Sequence, residues 1–313
     1  MIKTPLSTMI GGAGIWTPSA TTIGILGASK TLNQIIKSMF ANNEQGFAYD
    51  PNDLSTMYQD LRGTPITSAV QPLGLLLDVR NGATLGNELI TNGNFAGGIT
   101  GWSSINGTDE VVSGGYLNFI NAATSNPNAG QAINLSPRKF YKVSFRIANF
   151  IAGGIYVVFY SLSSANNTMI TQSGNGVFTA VLDAPFDTNG YFGIRTTAAL
   201  ATLSLTDISV KEIAGNHAFQ TTSSMRPLLQ NTPRRVAYDA VDDKLTTNLP
   251  AQLTGCTVIR SIPNVGTQIL INQTIPTPYN DSTNHCGLIV INRALTASET
   301  TQITKLFNKA AGV

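Results

Sequence analysis

The sequence predicts a mostly β protein in which one β-sandwich is inserted into a second small β-rich domain. Apolar and polar residues alternate along many short segments, and a period of two is the pattern of a strand with one buried face. Two longer segments, one near each end of the chain, have the apolar period of an amphipathic helix. Asn-Gly pairs, which favour tight turns, recur between the strand-like segments at residues 92–93, 106–107, 175–176 and 189–190.

The composition points away from an ordinary cytosolic enzyme and from a nucleic-acid-binding protein. Charged residues make up 12% of the chain, about half the usual share. The 19 basic and 17 acidic residues give a net charge of +2, and no long basic run is present to follow a phosphate backbone. Neither a signal peptide nor insertion into a membrane is predicted. A neutral, hydrogen-bonding surface suits a component of an assembled particle.

The two cysteines, Cys256 and Cys286, lie in separate strand-like segments. Two cysteines alone do not make a zinc site. We expect free thiols, because a reducing cytosol would keep them reduced during assembly, with a disulfide between them as the alternative.

Residues 1–46 are predicted to form an N-terminal arm and a helix that serve attachment or oligomerisation. The arm, to about residue 28, is rich in Gly and Thr but contains more apolar residues than a disordered tail usually does. An arm packed on a neighbouring subunit is therefore favoured over disorder. Thr31 and Gln34 make a capping box at the start of the helix. Its apolar stripe, which could pack on its own domain or on other copies of the chain, consists of Leu32, Ile35, Ile36, Met39 and Phe40.

The inserted sandwich is predicted to span residues 87–213. The segment GIYVVFYSL is apolar on both faces, so we expect it to be covered on both sides or to line a cleft. The alternation slips by one residue at Thr206-Asp207, which indicates a β-bulge. Alternate residues of FYKVSFRIA should share the core face, namely Tyr141, Val143, Phe145 and Ile147.

The chain beyond residue 214 contains further short strand-like segments and ends in a helix. Thr296 and Glu299 make the capping box of this helix, and Gly312 lies at its end. The stripe predicted to be buried consists of Ile303, Leu306, Phe307 and Ala310.

The opening motif ELITNGNFAGGITGW and the closing strand LTDISVKEI resemble the jelly-roll carbohydrate-binding modules of polysaccharide-degrading enzymes. The resemblance covers residues 87–213 and implies a jelly-roll sandwich. It also implies that Phe95 and Trp102 plug one end of that sandwich.

The flanking segments resemble tailed-bacteriophage tail and virion structural proteins. The resemblance rests on EQGFAYDPNDLSTMYQDLRGTPITSAVQPLGLLLD, GNHAFQTTSSMRPLLQ and CGLIVINRALTASETTQITKLFNKAAG. It implies that residues 47–86 and 214–313 form one discontinuous, abbreviated concanavalin-like outer domain. The jelly roll would then be an insertion in that domain.

Sugar binding is the predicted chemistry of the jelly roll. Aromatic rings stack on the apolar faces of pyranoses, and Arg groups bond to the hydroxyls. If the strands pair as the resemblance implies, one sheet face would present Tyr156, Tyr160, Arg146 and Arg195, with Tyr116 and Tyr191 as further candidates. The alternative is that the two tyrosines of GIYVVFYSL are core or interface residues.

A structural calcium ion is a second prediction. Related jelly rolls often hold calcium where the first and last strands meet, and Asp207, Asn92 and Asn94 match that location. Calcium needs six or more oxygen ligands, of which the sequence shows one strong carboxylate here.

Catalytic signatures are weak. No GxSxG elbow is present. Asp242 and Asp243 are adjacent and would point to opposite faces of a strand, and a turn or structural role is favoured for them over catalysis. The chain is therefore predicted to be non-enzymatic, and the resemblance of its flanking segments implies a bacteriophage virion protein. We expect a tail-fibre, tail-tip or receptor-binding appendage subunit that contacts host surface glycan. A capsid decoration or head-fibre protein and a polysaccharide depolymerase are the alternatives.

The predicted partners and location follow from the prediction that this is a virion protein. The N-terminal arm would join other virion proteins. A homo-oligomer, with a trimer favoured by the resemblance, would lie on the particle surface after assembly in the host cytoplasm. Neither nucleic acid nor a membrane is an expected partner.

Overall fold

The computed structural model confirms the predicted fold class: it is mostly β, with a sandwich inserted into a second β-rich domain and a helix near each end. The predicted arm lies outside the described residues. In the described part of the chain, no helix has both the length and the apolarity to cross a membrane. The described residues are 30–81, 84–105, 107–122, 129–136, 139–161, 164–184, 190–197 and 200–313.

The elements fall into three groups along the chain. Before the insertion come α1 (Leu32–Met39), β1 (Gly46–Tyr49), β2 (Met57–Tyr58) and β3 (Leu75–Leu76). The inserted module contains β4 (Leu85–Glu88), β5 (Glu110–Ser113), β6 (Tyr116–Ala122), β7 (Ala129–Ile133), β8 (Phe140–Ala152), β9 (Ile155–Ser161), β10 (Ser164–Gln172), β11 (Gly176–Asp183), β12 (Gly190–Thr196) and β13 (Ala201–Ile213). After it come β14 (Ala218–Phe219), β15 (Leu228–Gln230), β16 (Arg235–Ala237), β17 (Leu245–Thr247), β18 (Leu253–Ile262), β19 (Gly266–Ile275), β20 (Tyr279–Asp281), β21 (Gly287–Ile291) and α2 (Ala297–Ala311).

The inserted module is a sandwich of two antiparallel sheets. The front sheet has the strand order β10-β9-β12-β7. The back sheet has the order β11-β8-β13-β6-β5, and β4 also pairs with β13. From β7 to β13 the chain passes repeatedly between the two sheets, which is the jelly-roll pattern. The two inner faces enclose one apolar core.

The core of the module contains the residues that alternation predicted. The inward face of β8 is made of Tyr141, Val143, Phe145 and Ile147, all buried. Phe95 and Trp102 are buried at the same core with ring centroids 5.1 Å apart. The predicted bulge is present, because the register of β13 against β8 shifts between Thr206 and Ser209.

The outer domain is built from the segments on both sides of the insertion. Sheets β1-β21-β18-β19 and β2-β3-β14-β17-β20 enclose a second apolar core. The other face of the first sheet is covered by α1 and α2, through Ile36 and Met39 of α1 and Ile303 and Phe307 of α2. Of the two alternatives for its apolar stripe, α1 therefore packs on its own chain. Both predicted capping boxes are formed.

One detail of the α2 prediction is wrong. The stripe buries Ala311, whereas Ala310 is only half-buried. Cys256 and Cys286 are both buried and are not joined to each other.

The chain leaves the outer domain and returns to it at neighbouring points. β3 and β14, on either side of the insertion, pair with each other through Leu75 with Phe219 and Leu76 with Ala218. Within the module, its first strand β4 pairs with its last strand β13. The two connections therefore run side by side at the base of the module.

Asp78 ties these two connections together. Its side chain is fully buried, and its Oδ1 accepts the backbone N–H groups of Ala48 and Arg80, each at 3.0 Å. Oδ2 accepts the N–H of Asn216 at 2.9 Å and lies 2.9 Å from Arg80 Nε. Burial raises the pKa of Asp78 to about 6, although Arg80 and the N–H groups oppose that shift.

His217 also lies where the two connections meet, a place called the crossing below. Its Nδ1 accepts the backbone N–H of Asp78 at 2.9 Å, so Nε2 holds the proton and donates to Ile213 O at 3.0 Å. The ring meets Phe140 of the module edge to face. Burial lowers the pKa of His217 to about 4. The imidazole is thus neutral and held in one tautomer.

An apolar seam joins the module to the outer domain beside this crossing. Leu75 and Leu77 of the outer domain pack against Phe140 and Val181 of the module, with Ile213 between them. Because the seam is buried and the crossing is hydrogen-bonded, the module has a defined orientation on the outer domain.

We predict that His217→Gln removes the pH dependence of stability that His217 contributes. The unfolded chain protonates His217 near pH 6.5, whereas the folded chain does so only near pH 4. The stability that neutral His217 supports is therefore complete above pH 6.5 and is lost as the pH falls to 4, by about 3 kcal/mol at ~1.4 kcal/mol per pKa unit. Urea unfolding of both proteins from pH 4 to 7 measures this. The deficit of the variant should be largest at pH 7 and should shrink toward pH 4; a deficit that does not change with pH would contradict the prediction.

Candidate functional site

The outer face of the front sheet presents two pairs of large side chains. On β9, Tyr156 and Tyr160 point outward, because the alternate residue Val157 lies in the core. On the neighbouring strand β12, Tyr191 is opposite Tyr160, and Arg195 is opposite Tyr156. The two pairs stand four residues apart along the strand, or about 13 Å.

Within each pair, the two side chains contact each other through an aromatic ring. Tyr160 and Tyr191 stack with their centroids 5.3 Å apart and their planes at 23°. The guanidinium carbon of Arg195 lies 5.6 Å from the ring centroid of Tyr156. Burial, assisted by the neighbouring Tyr191 hydroxyl, raises the pKa of Tyr160, so this phenol stays neutral at physiological pH. The face therefore offers uncharged rings and one guanidinium.

Three of the four sugar-binding residues predicted from the sequence share this face, and Arg146 does not. Arg146 lies on β8, which belongs to the back sheet, so its outward direction is opposite to that of Tyr156. Its Nε is 3.1 Å from Asp207 Oδ2, and its guanidinium lies over Tyr116 at 5.7 Å from the ring centroid. The alternation correctly directed Arg146 away from the core, but the prediction that it shares a sheet face with Tyr156 is wrong.

A cleft of about 440 Å³ adjoins the Tyr156 end of the face. Both domains contribute to it, and its lining consists of Arg62, Thr64, Tyr156, Ile170, Thr171 and Gln172. Arg62 and Thr64 come from the outer domain. No sequence signal identifies these two residues, because their position depends on how that domain meets the module.

Asp60 shapes the turn that presents Arg62 and Thr64. Its Oδ1 accepts the N–H of Arg62 at 2.8 Å and the N–H of Thr64 at 3.2 Å. Its Oδ2 accepts the hydroxyl of Thr64 at 2.7 Å. The turn closes where Gln59 N–H donates to Thr64 O at 2.7 Å.

Gly63 allows this turn to lie directly on the module. It has a φ of +82°, and a Cβ atom there would lie 2.5 Å from the backbone nitrogen of Val181 on β11. Only glycine combines that backbone conformation with so close an approach. The position of Arg62 relative to Tyr156 thus depends on a backbone-to-backbone contact between the domains.

The residues of the predicted calcium site have other contacts, and calcium binding there stays a prediction. Asp207 is exposed and paired with Arg146. The side chain of Asn92 closes the loop at residues 97–100, donating from Nδ2 at 2.8 Å and accepting at Oδ1 at 2.9 Å. Asn94 Oδ1 accepts a backbone N–H two residues on at 3.2 Å. Asp207 Oδ2, Asn92 Oδ1 and Asn94 Oδ1 thus each have a partner within the protein.

A second acidic group lies in the outer domain. Asp242 and Asp243, for which a turn or structural role was favoured, lie in a turn, where their carboxylates and that of Asp239 come within 4.8 Å of one another. Asp239 Oδ1 accepts the N–H groups of residues 241, 242 and 243 at 2.9, 3.2 and 3.2 Å. Asp239 therefore serves to close the turn.

Comparisons with known proteins yield matches among solved structures alone. No protein-family model and no curated protein matches the chain. A family 16 carbohydrate-binding module is 21% identical, with a TM-score of 0.31, covering 39% of this chain and 98% of that one. The C-terminal family 22 module of Clostridium thermocellum Xyn10B is 17% identical, with a TM-score of 0.29, covering 41% and 98%.

A tandem pair of family 22 modules from Paenibacillus barcinonensis Xyn10C is similar over a longer stretch. It is 11% identical, with a TM-score of 0.36, covering 72% of this chain and 94% of that one. At such TM-scores these matches do not identify a ligand. The chemistry of the site rests on its own residues.

We predict that Gly63→Ala loosens the turn against the module. The added methyl group cannot fit at 2.5 Å from Val181 N, so the turn must move. Overpacking of this kind costs about 1–3 kcal/mol. The matched control is Gly174→Ala, at a φ of +84° with nothing within 4 Å of the added atom. In urea unfolding, Gly63→Ala should lose more stability than the control, and equal losses would mean that the interdomain contact is unimportant.

Proposed function

We propose that this protein is a non-catalytic, glycan-binding subunit of a bacteriophage virion, placed in a tail fibre, tail tip or similar receptor-binding appendage. The observation that supports glycan binding is the outer face of the front sheet. It presents Tyr156, Tyr160 and Tyr191 on a rigid sheet with Arg195 beside them.

This face has the chemistry that a sugar chain requires. The C–H groups of a pyranose pack on a flat aromatic ring, and its hydroxyls need donors and acceptors at the ring's edge. The stacked pair Tyr160 and Tyr191 supplies an apolar surface at one end. At the other end Tyr156 has Arg195 beside it, and Thr171 and Gln172 line the adjoining cleft. The separation of about 13 Å between the two ends suits an extended oligosaccharide better than a single sugar.

The virion role is supported by the sequence resemblance of the flanking segments. In this proposal residues 1–28 join the chain to other virion proteins, and the module points outward to the host. Several copies, most simply a trimer, raise weak single-site binding through avidity. The protein then resides on the particle surface after assembly in the host cytoplasm.

We predict that Tyr156→Ala and Tyr160→Ala each weaken glycan binding at least about tenfold, or ~1.4 kcal/mol. Each substitution removes a ring on which a sugar would pack. The test is a glycan array of host surface polysaccharides, followed by calorimetric titration of the strongest ligand with wild type and variants.

Tyr116→Ala is the matched control, because it makes the same substitution on the outer face of the back sheet. It should bind as wild type does. Thermal melting of all variants separates lost binding from lost folding. Equal weakening by the control, or no weakening by either front-sheet variant, would place the ligand elsewhere.

A further inference from the structure

We infer that the cleft beside Tyr156 selects acidic glycans, with Arg62 of the outer domain binding the carboxylate of a sugar residue that stacks on Tyr156. The inference rests on the proposed glycan binding and goes beyond it in two respects. It gives the ligand a charge, and it makes the site a joint product of both domains.

The first argument is the electrostatic situation of Arg62. Its side chain is exposed, and across the described residues its guanidinium has neither a hydrogen bond nor a carboxylate partner. Arg80 and Arg260, by contrast, are each engaged by an acid, Arg80 by Asp78 at 2.9 Å and Arg260 by Asp281 at 2.8 Å. Arg62 is therefore able to form a bidentate contact with an incoming carboxylate.

The second argument is that the acid nearest in sequence is committed to the backbone. Asp60 uses Oδ1 for two N–H groups of the turn and Oδ2 for the hydroxyl of Thr64. Its role is to hold the turn in shape. No acidic side chain is among the described residues that line the cleft. An anionic ligand there would face a guanidinium, hydroxyl groups and an amide.

The third argument is position. Arg62 and Tyr156 line the same cleft, and Arg195 stands on the other strand with its guanidinium carbon 5.6 Å from the Tyr156 centroid. A sugar seated on that ring would therefore have a guanidinium from each domain nearby. Thr171 and Gln172 at the edge of β10 would meet its hydroxyls. A uronic-acid residue combines the flat apolar face and the carboxylate that this arrangement recognises.

The experiment compares the full chain with its Arg62→Gln and Arg234→Gln variants. The control removes the same charge from an exposed turn of the outer domain, where Arg234 Nε bonds to Asn231 at 3.1 Å. An array of carboxylated, sulfated and neutral polysaccharides is screened first. The strongest ligand is then titrated intact and after chemical reduction of its carboxyl groups.

The expected result is a carboxylated strongest ligand whose affinity falls about tenfold in Arg62→Gln and is unchanged in Arg234→Gln. Raising the salt concentration should weaken wild-type binding more than binding by Arg62→Gln, since exposed charges are screened. The carboxyl-reduced ligand should bind wild type and Arg62→Gln equally.

Two other outcomes overturn the inference and differ in what they leave standing. A strongest ligand without carboxyl groups, or affinity unaffected by Arg62→Gln, overturns the acidic, two-domain site but leaves glycan binding intact. Binding to no glycan at all overturns both.

Discussion

A single buried carboxylate joins the two parts of the outer domain that lie before and after the inserted module. Asp78 accepts the N–H groups of Ala48 in β1, of Arg80 in its own segment and of Asn216 in the segment that follows the insertion. A buried charge is costly unless its hydrogen bonds are complete, so each of these segments is held where it lies. His217 adds a bond from the returning chain to the backbone of Asp78 itself. The module is attached at this point, where His217 Nε2 also donates to Ile213 O at the end of its last strand.

The functional surface depends on that position. The apolar seam at Leu75, Phe140 and Val181 keeps the module against the outer domain. Beside the seam, the close approach of Gly63 brings the turn of Arg62 to the edge of the front sheet. The aromatic face belongs to the module alone, but the cleft next to it exists only because the domains are docked. The packing between the two domains thus both stabilises the base of the module and forms the cleft.

Local patterns in the sequence were sufficient to predict much of the fold. The two helices with their capping boxes and the core face of β8 follow from residue types at short spacing. The burial of Phe95 and Trp102 was implied by the resemblance to jelly-roll modules. The site was harder to predict. Alternation shows that Arg146 points outward, but which sheet its strand joins is decided by long-range pairing.

The side-by-side ends of the module have an evolutionary consequence. Because β4 and β13 pair with each other, the chain enters and leaves the sandwich at neighbouring points. A module of this kind can be inserted into another protein as a unit. Such a transfer would carry Tyr156, Tyr160 and Tyr191 into a new protein without Arg62 of the outer domain. The module would then carry the preference for sugar shape and the outer domain the preference for sugar charge. Recombination between genes could combine the two preferences in new ways.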